Sequence, residues 1–183
     1  YLHFLKSQEV TSEPFRNKIG QLNNFYLPLS EFIYRNYSIN KKTKIIGLTG
    51  GQGSGKSTIS NILKILLKEA YNLNTVIFSI DDFYKTSSER KKMSKYIHPL
   101  FLTRGVPGTH DINMMLDFFK KSKAKKFKNM KLPKFNKAID DRFPKNKWNK
   151  INRRPDIVIF EGWCVGARAE TNKTLKKSIN SME

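Results

Sequence analysis

A chain of 183 residues with 38% hydrophobic and 12% aromatic content can bury one real core, is too short for two ordinary domains, and is not globally disordered despite a mean hydropathy of −0.56. Lys and Arg number 35 against 15 Asp and Glu, a formal charge of +20 that points to a polyanionic ligand or partner, or to a drift toward Lys, Asn and Ile codons without functional content. The single Cys164 excludes an internal disulfide framework and suits a reducing, cytoplasmic setting, while no apolar run approaches the length of a membrane span.

Residues 1–24 have weak periodicity, punctuated by Pro14 and Gly20, and read as an irregular or partly helical arm. Leu29, Phe32 and Ile33 then share one helical face, so a helix of about ten residues should pack against a sheet. Ile45-Ile46-Gly47-Leu48 is an apolar, β-branched run suited to a buried strand. Directly after it, Gly50-Gly51-Gln52-Gly53-Ser54-Gly55-Lys56-Ser57 fits G-x-x-x-x-G-K-[ST] at every defined position. Ile59, Ile62, Leu63, Leu66, Leu67 and Ala70 follow at helical spacing, giving a helix over 55–70.

Strand, glycine loop and helix start are the parts needed to hold a triphosphate. Glycines let backbone N–H groups close on phosphate oxygens, and the helix N-terminus adds a favourable dipole. The pattern makes Gly50 to Gly55, Lys56, Ser57 and the adjoining Thr58 a nucleoside triphosphate site, with Lys56 at the β/γ-phosphates and the Ser57 hydroxyl on Mg²⁺.

Thr75 to Ile80 reads as a second buried strand ending on Asp81-Asp82-Phe83-Tyr84, and Asp156 to Phe160 as a third ending on Glu161-Gly162-Trp163. Strands separated by helices pair in parallel, and ligands of open parallel sheets collect beyond their carboxyl ends. The glycine loop, Asp81 and Glu161 should therefore line one edge; Asp82 is either a turn or cap residue or a further site carboxylate.

Residues 85–154 form a long insertion between the second and third strands, the expected acceptor-binding region. Ser87 to Lys95 reads as an exposed polar helix, and Arg104 to Asp111 as a glycine and proline loop of the kind that carries binding residues. Asp111 caps a helix whose expected apolar face is Ile112, Met115, Leu116 and Phe119. His98 and His110 lack partners at zinc spacing. From Lys120 to Lys150, lysines alternate with Phe127, Phe135 and Trp148, either a solvated face or a track for single-stranded nucleic acid.

Taken in order, Ser79-Ile80-Asp81-Asp82-Phe83-Tyr84, Arg104 to Asp111, Lys131-Leu132-Pro133-Lys134-Phe135-Asn136-Lys137, Asp141-Arg142 and Phe160-Glu161-Gly162-Trp163 resemble the D-glycerate 3-kinase group of P-loop kinases and its uncharacterised ATP-binding relatives, from Phe25 to Gly166. More distantly the chain is similar to the uridine kinase, phosphoribulokinase and bacterial pantothenate kinase superfamily. The resemblance implies an α/β P-loop NTPase fold, a three-layer α/β/α sandwich with a parallel sheet, in a single domain over 1–183. It implies that Asp81 orients or deprotonates an acceptor hydroxyl, that Glu161 holds Mg²⁺ through water, and that Tyr84, His110 and Asp111 touch the acceptor.

Lys56, Asp81 and Arg104 are then the catalytic candidates, with Arg104, Lys131, Lys134 and Arg142 available to an acidic acceptor such as glycerate. A nucleoside- or pantothenate-like acceptor is the nearest alternative, and a basic P-loop protein acting on nucleic acid the alternative from another class. Phe135-Asn136 stands where many members of the group have Tyr-Asp. Such kinases also continue past the E-G-W strand with further strands and an arginine-bearing lid. The chain is therefore expected to be incomplete on its C-terminal side, with the strand before the glycine loop at an open sheet edge.

Overall fold

The computed structural model describes residues 1–9 and 14–176. Along it run α1 (Leu2–Gln8), α2 (Lys18–Gln21), α3 (Leu27–Ser38), β1 (Lys44–Thr49), α4 (Lys56–Tyr71), β2 (Thr75–Ser79), α5 (Ser87–Tyr96) and α6 (Ile112–Ser122). Then follow β3 (Met130–Leu132), β4 (Phe135–Asn136), β5 (Asp141–Arg142), β6 (Asn149–Ile151), β7 (Ile157–Gly162) and α7 (Asn172–Leu175).

The expected parallel strands form one sheet in the order β1-β7-β2, with Ile157 of β7 in register with both Lys44 and Thr75. Strand alternation divides their side chains between two cores. Ile157 and Ile159, with Ile46, Leu48 and Ile77, meet Ile33 of α3 and Leu63 and Leu67 of α4. Val158 and Phe160, with Ile45, Val76 and Phe78, meet Met115 and Phe118 of α6. Helices on both faces of a parallel sheet give the three-layer α/β/α arrangement, and Ile157, Val158 and Ile159 are fully buried because β7 has a neighbour on every side. Among the described residues β1 is an edge of this sheet, as the sequence implied.

The N-terminal arm is more ordered than its periodicity indicates. Leu5 is buried against Tyr26, Ile62 and Leu66, and a π-helical turn over Leu22–Tyr26 joins α2 to α3. The inner face of α3 is Leu29, Ser30, Ile33 and Tyr37, whereas Phe32, expected inside, is 65% exposed. In α6 the apolar face is likewise rotated from the expected one. Met115, Phe118 and Ser122 are buried, while Ile112 and Leu116 face solvent.

Aromatic packing sets that phase: the Phe118 ring lies edge-on to Phe78 with centroids 4.5 Å apart, and Phe119 packs 5.4 Å from both Phe78 and Phe160. The bulkier rings take the sheet-facing positions and leave the aliphatic pair outside. Within the basic stretch, β3 pairs with β6 and β4 with β5 as antiparallel ribbons. Strands of two or three residues leave too little alternation to read from sequence.

Phe118→Ala should destabilise the protein by about 3–4 kcal/mol and Leu116→Ala by less than about 0.5 kcal/mol, measured by chemical denaturation. Equal losses at the two positions would contradict the observed phase of α6.

Candidate active site

The glycine loop turns sharply between β1 and α4, with Gly53 and Gly55 at φ of 77° and 79°, a left-handed backbone that disfavours any side chain. The Lys56 ammonium folds into the loop and donates to the Gly50 and Gly51 carbonyls at 2.8 and 2.5 Å. Thr58 and the remaining loop residues form the start of α4 and the loop around it.

Glu161, the penultimate residue of β7, is 8% exposed, and its two carboxylate oxygens accept hydrogen bonds from two hydroxyls of the first turns of α4. Ser57 Oγ donates to Oε1 at 2.8 Å and Ser60 Oγ to Oε2 at 2.9 Å. A hydroxyl and a carboxylate together are hard oxygen donors, the chemistry Mg²⁺ selects. Among the described residues no group of three or more His, Cys, Asp or Glu forms a complete metal cage. A Mg²⁺ that takes its other ligands from phosphate and water needs none.

The opposite wall is the turn after β2, a 3₁₀ segment over Ile80–Phe83. Ser79 Oγ accepts from the Asp81 N–H at 3.2 Å. Asp82 accepts from the Ser79 N–H at 3.3 Å and from the Phe135 N–H at 3.2 Å, so it is a structural cap. Burial raises the Asp82 carboxyl above its ordinary range against those two hydrogen bonds. The Asp81 carboxylate is instead turned to the cavity, where the Lys137 ammonium lies 2.7 Å away. A Cβ on Gly162 would come within 2.6 Å of Ile80, so this turn seats on β7 only because position 162 has no side chain.

One cavity of about 530 Å³ brings together Gln52, Gly53, Lys56, Ser57, Asp81, Tyr84, Arg104 and Glu161 of the residues singled out from sequence. His110, Asp111 and Arg142 stand behind it. The His110 ring stacks on Tyr84 at 4.2 Å, and Arg142 donates twice to the Tyr84 carbonyl, at 3.1 and 2.6 Å. Asp111 caps α6 through the Met114 N–H and lies 3.6 Å from Arg142. Lys131 and Lys134 lie outside this cavity. Lys134 sits 5.7 Å from the Phe143 ring, and Lys131 donates to the Lys145 carbonyl at 3.3 Å.

Arg104 reaches the cavity beside Phe135 and is anchored by Asp140. Asp140, in the left-handed region at φ 51°, is gripped from its other side by Arg90, which is 1% exposed despite its position in the polar helix α5. Arg90 donates to the Leu102 carbonyl at 3.0 Å and to the carbonyl and carboxylate of Asp140 at 2.5 and 2.8 Å. Burial alone would raise the Asp140 carboxyl; hydrogen bonds from Arg90 and Arg104 outweigh it and hold the group below its usual range.

Asp140, within the site-like Asp140-Asp141-Arg142, is joined by Ser60, Arg90, Lys137 and Trp163, which were not singled out for the site. Ser60 has a sequence signal, one helical turn after Ser57, and Lys137 and Trp163 lie inside recognised motifs. Arg90 has none.

Residues 45–173, more than half of the chain, match the Phosphoribulokinase / Uridine kinase family. The chain belongs to that family. Among its relatives is an uncharacterised kinase of Schizosaccharomyces pombe, mug58, 38% identical over 67% of this chain and 46% of its own length. The chloroplastic D-glycerate 3-kinase of Arabidopsis thaliana is 28% identical over 80% of this chain and 36% of its own length. The solved D-glycerate 3-kinase of Cryptococcus neoformans superposes with a TM-score of 0.72 at 25% identity, covering 82% of this chain and 56% of the other. The chain therefore spans about half, or less, of the length of these phosphoribulokinase/uridine kinase relatives.

Burial pushes the His110 imidazole below its ordinary value of 6.5, with nearby Asp81 opposing the shift, and its Nε2 has no hydrogen-bond partner among the described residues. A base whose native pKa is depressed stabilises the fold fully above the unfolded value and loses that contribution as pH falls through the native one. Thermal unfolding measured from pH 7.5 to 5.5 should show stability declining below about pH 6.5, by at most about 1.4 kcal/mol per pH unit for one proton. His110→Phe, which keeps a ring against Tyr84, should flatten that decline.

Proposed function

We propose that this chain carries the nucleotide and acceptor sites of an ATP-dependent kinase that phosphorylates a hydroxyl of a small acidic metabolite, of which D-glycerate is the leading candidate. The reading rests on one observation: the loop with Lys56 and the Ser57–Glu161 pair faces Asp81, Arg104 and Lys137 across a single cavity of about 530 Å³. The names of the glycerate kinase relatives support the acceptor class, and Cys164, the single cysteine, supports a reducing, cytoplasmic setting.

Phosphoryl transfer asks a protein mainly for alignment and for charge stabilisation, because the transition state needs little covalent help. The loop amides and Lys56 hold the β- and γ-phosphates with donors already aimed at the site. Ser57 and Glu161 hold Mg²⁺, which when bound neutralises charge on the transferring group. Asp81 accepts the hydrogen bond of the attacking hydroxyl and takes its proton. Its present partner Lys137, together with Arg104, offers cationic contacts to an acceptor carboxylate, and Asp140 fixes the direction of the Arg104 guanidinium.

The protein incubated with Mg-ATP and a panel of hydroxy acids, nucleosides and pantothenate should yield a phosphorylated hydroxy acid, identified by mass. Lys56→Ala should weaken ATP binding in calorimetry and remove turnover; unchanged ATP affinity would overturn the nucleotide assignment. Asp81→Asn should lower kcat and kcat/KM together by about 10²–10⁴ with ATP affinity nearly intact. Loss of ATP affinity alone would make Asp81 a metal ligand instead. Arg104→Ala should raise KM for an acidic acceptor more than for a neutral one.

A further inference from the structure

The kinase reading uses Lys137 and Asp140 of the basic stretch from Lys120 to Lys150 and leaves its other lysines without a role. Part of that stretch folds, with one side of α6, around a second cavity of about 610 Å³ that shares no lining residue with the first. We propose that this second cavity is a ligand site for an aromatic phosphomonoester of about mononucleotide size. The proposal is independent of the acceptor assignment, because it uses none of the residues of the nucleotide site.

Two properties of the cavity define the ligand. Its interior is apolar: Phe118 and Pro133 are buried in its floor, and Met114, Met130 and Trp148 are half-buried in its walls. The Trp148 Nε1–H already donates to the Phe143 carbonyl at 2.7 Å, so the indole has no unmet polar atom and offers the cavity aromatic surface alone. Methionines beside an indole form a polarisable lining that adapts to a flat ring.

Its rim is cationic. Five lysines surround it against one aspartate, and that Asp117 is engaged by Lys121 at 2.5 Å. Lys126, Lys128, Lys131 and Lys145 have no carboxylate partner among the described residues, which leaves four positive charges around one cavity. Those ammoniums repel one another, and a phosphomonoester, carrying about −1.5 to −2 at neutral pH, relieves the repulsion where a neutral ligand cannot. Inorganic phosphate would leave the apolar interior filled with water, and a neutral ring would leave the rim uncompensated. A molecule with both parts satisfies both, and the volume lies within the range of small-molecule sites, about 300–1,000 Å³.

The test is isothermal titration of the whole chain with 1-naphthyl phosphate, with the nucleotide loop saturated by a non-hydrolysable Mg-ATP analogue. Saturable binding of one equivalent is expected, weakened about tenfold in the surface variant Lys126→Glu/Lys128→Glu and about tenfold for 1-naphthol, which lacks the phosphate. Trp148→Ala should weaken the probe as well. The double charge reversal should leave thermal stability and Mg-ATP affinity as in the parent. The proposal is overturned by an absence of saturable heat, by equal affinity in the double variant, or by displacement of the probe with Mg-ATP. Binding only of oligodeoxythymidylates, with affinity growing with length, would also overturn it and make the stretch a nucleic-acid track.

Discussion

Two serine hydroxyls on the first turns of α4 hold the Glu161 carboxylate at the end of β7, and the geometry of the whole site is referred to that contact. A carboxylate that is 8% exposed is tolerable only when its oxygens are hydrogen-bonded, and here the donors come from the helix that follows the glycine loop. The central strand is thereby fastened to the loop on β1, on one side, while Gly162 lets the turn after β2 seat against it on the other. Loop and turn are carried by strands that, among the described residues, pair only with β7, so the separation of the glycine loop from Asp81 is set by the spacing of three hydrogen-bonded strands.

Charge in the cavity is arranged in opposed layers. Glu161 and Asp81 approach from the strand ends, and Lys56, Arg104 and Lys137 surround the space between them. Each cation already has an internal partner: carbonyls for Lys56, Asp140 for Arg104 and Asp81 for Lys137. Preorganisation of this kind lowers the reorganisation needed when an anionic ligand arrives. The two acidic residues side by side after β2 have separate duties. Asp82 is used up in capping backbone N–H groups, which holds Asp81 in the orientation that leaves its carboxylate facing the cavity.

Local chemistry made the centre of this molecule legible in its sequence. The glycine loop, the helix after it and the three apolar strands each depend on neighbouring residues, and their order placed Lys56, Ser57, Asp81 and Glu161 on one edge. Features fixed by distant contacts were not legible. The phase of α6 follows from rings contributed by Phe78 and Phe160, far away in sequence, and the burial of Arg90 follows from a carboxylate fifty residues later. Lys131 and Lys134 belong to a recognised motif, yet short antiparallel ribbons turn them away from the nucleotide loop. His110 and Arg142 lie outside the cavity lining against Tyr84, and Asp111 lies beside Arg142.

The pairing of Arg90 with Asp140 separates the support of the insertion from the side chain at position 104. Arg90 bonds the backbone at Leu102 and Asp140 whether or not Arg104 is present, and Asp140 keeps a cationic partner if Arg104 is exchanged. A change at 104 therefore leaves no buried charge alone and carries little of the usual penalty for altering an ion-pair network. The architecture is evolvable at that point: a lineage can sample new side chains toward the cavity on an unchanged mount, and drift in ligand preference need not be accompanied by loss of the fold.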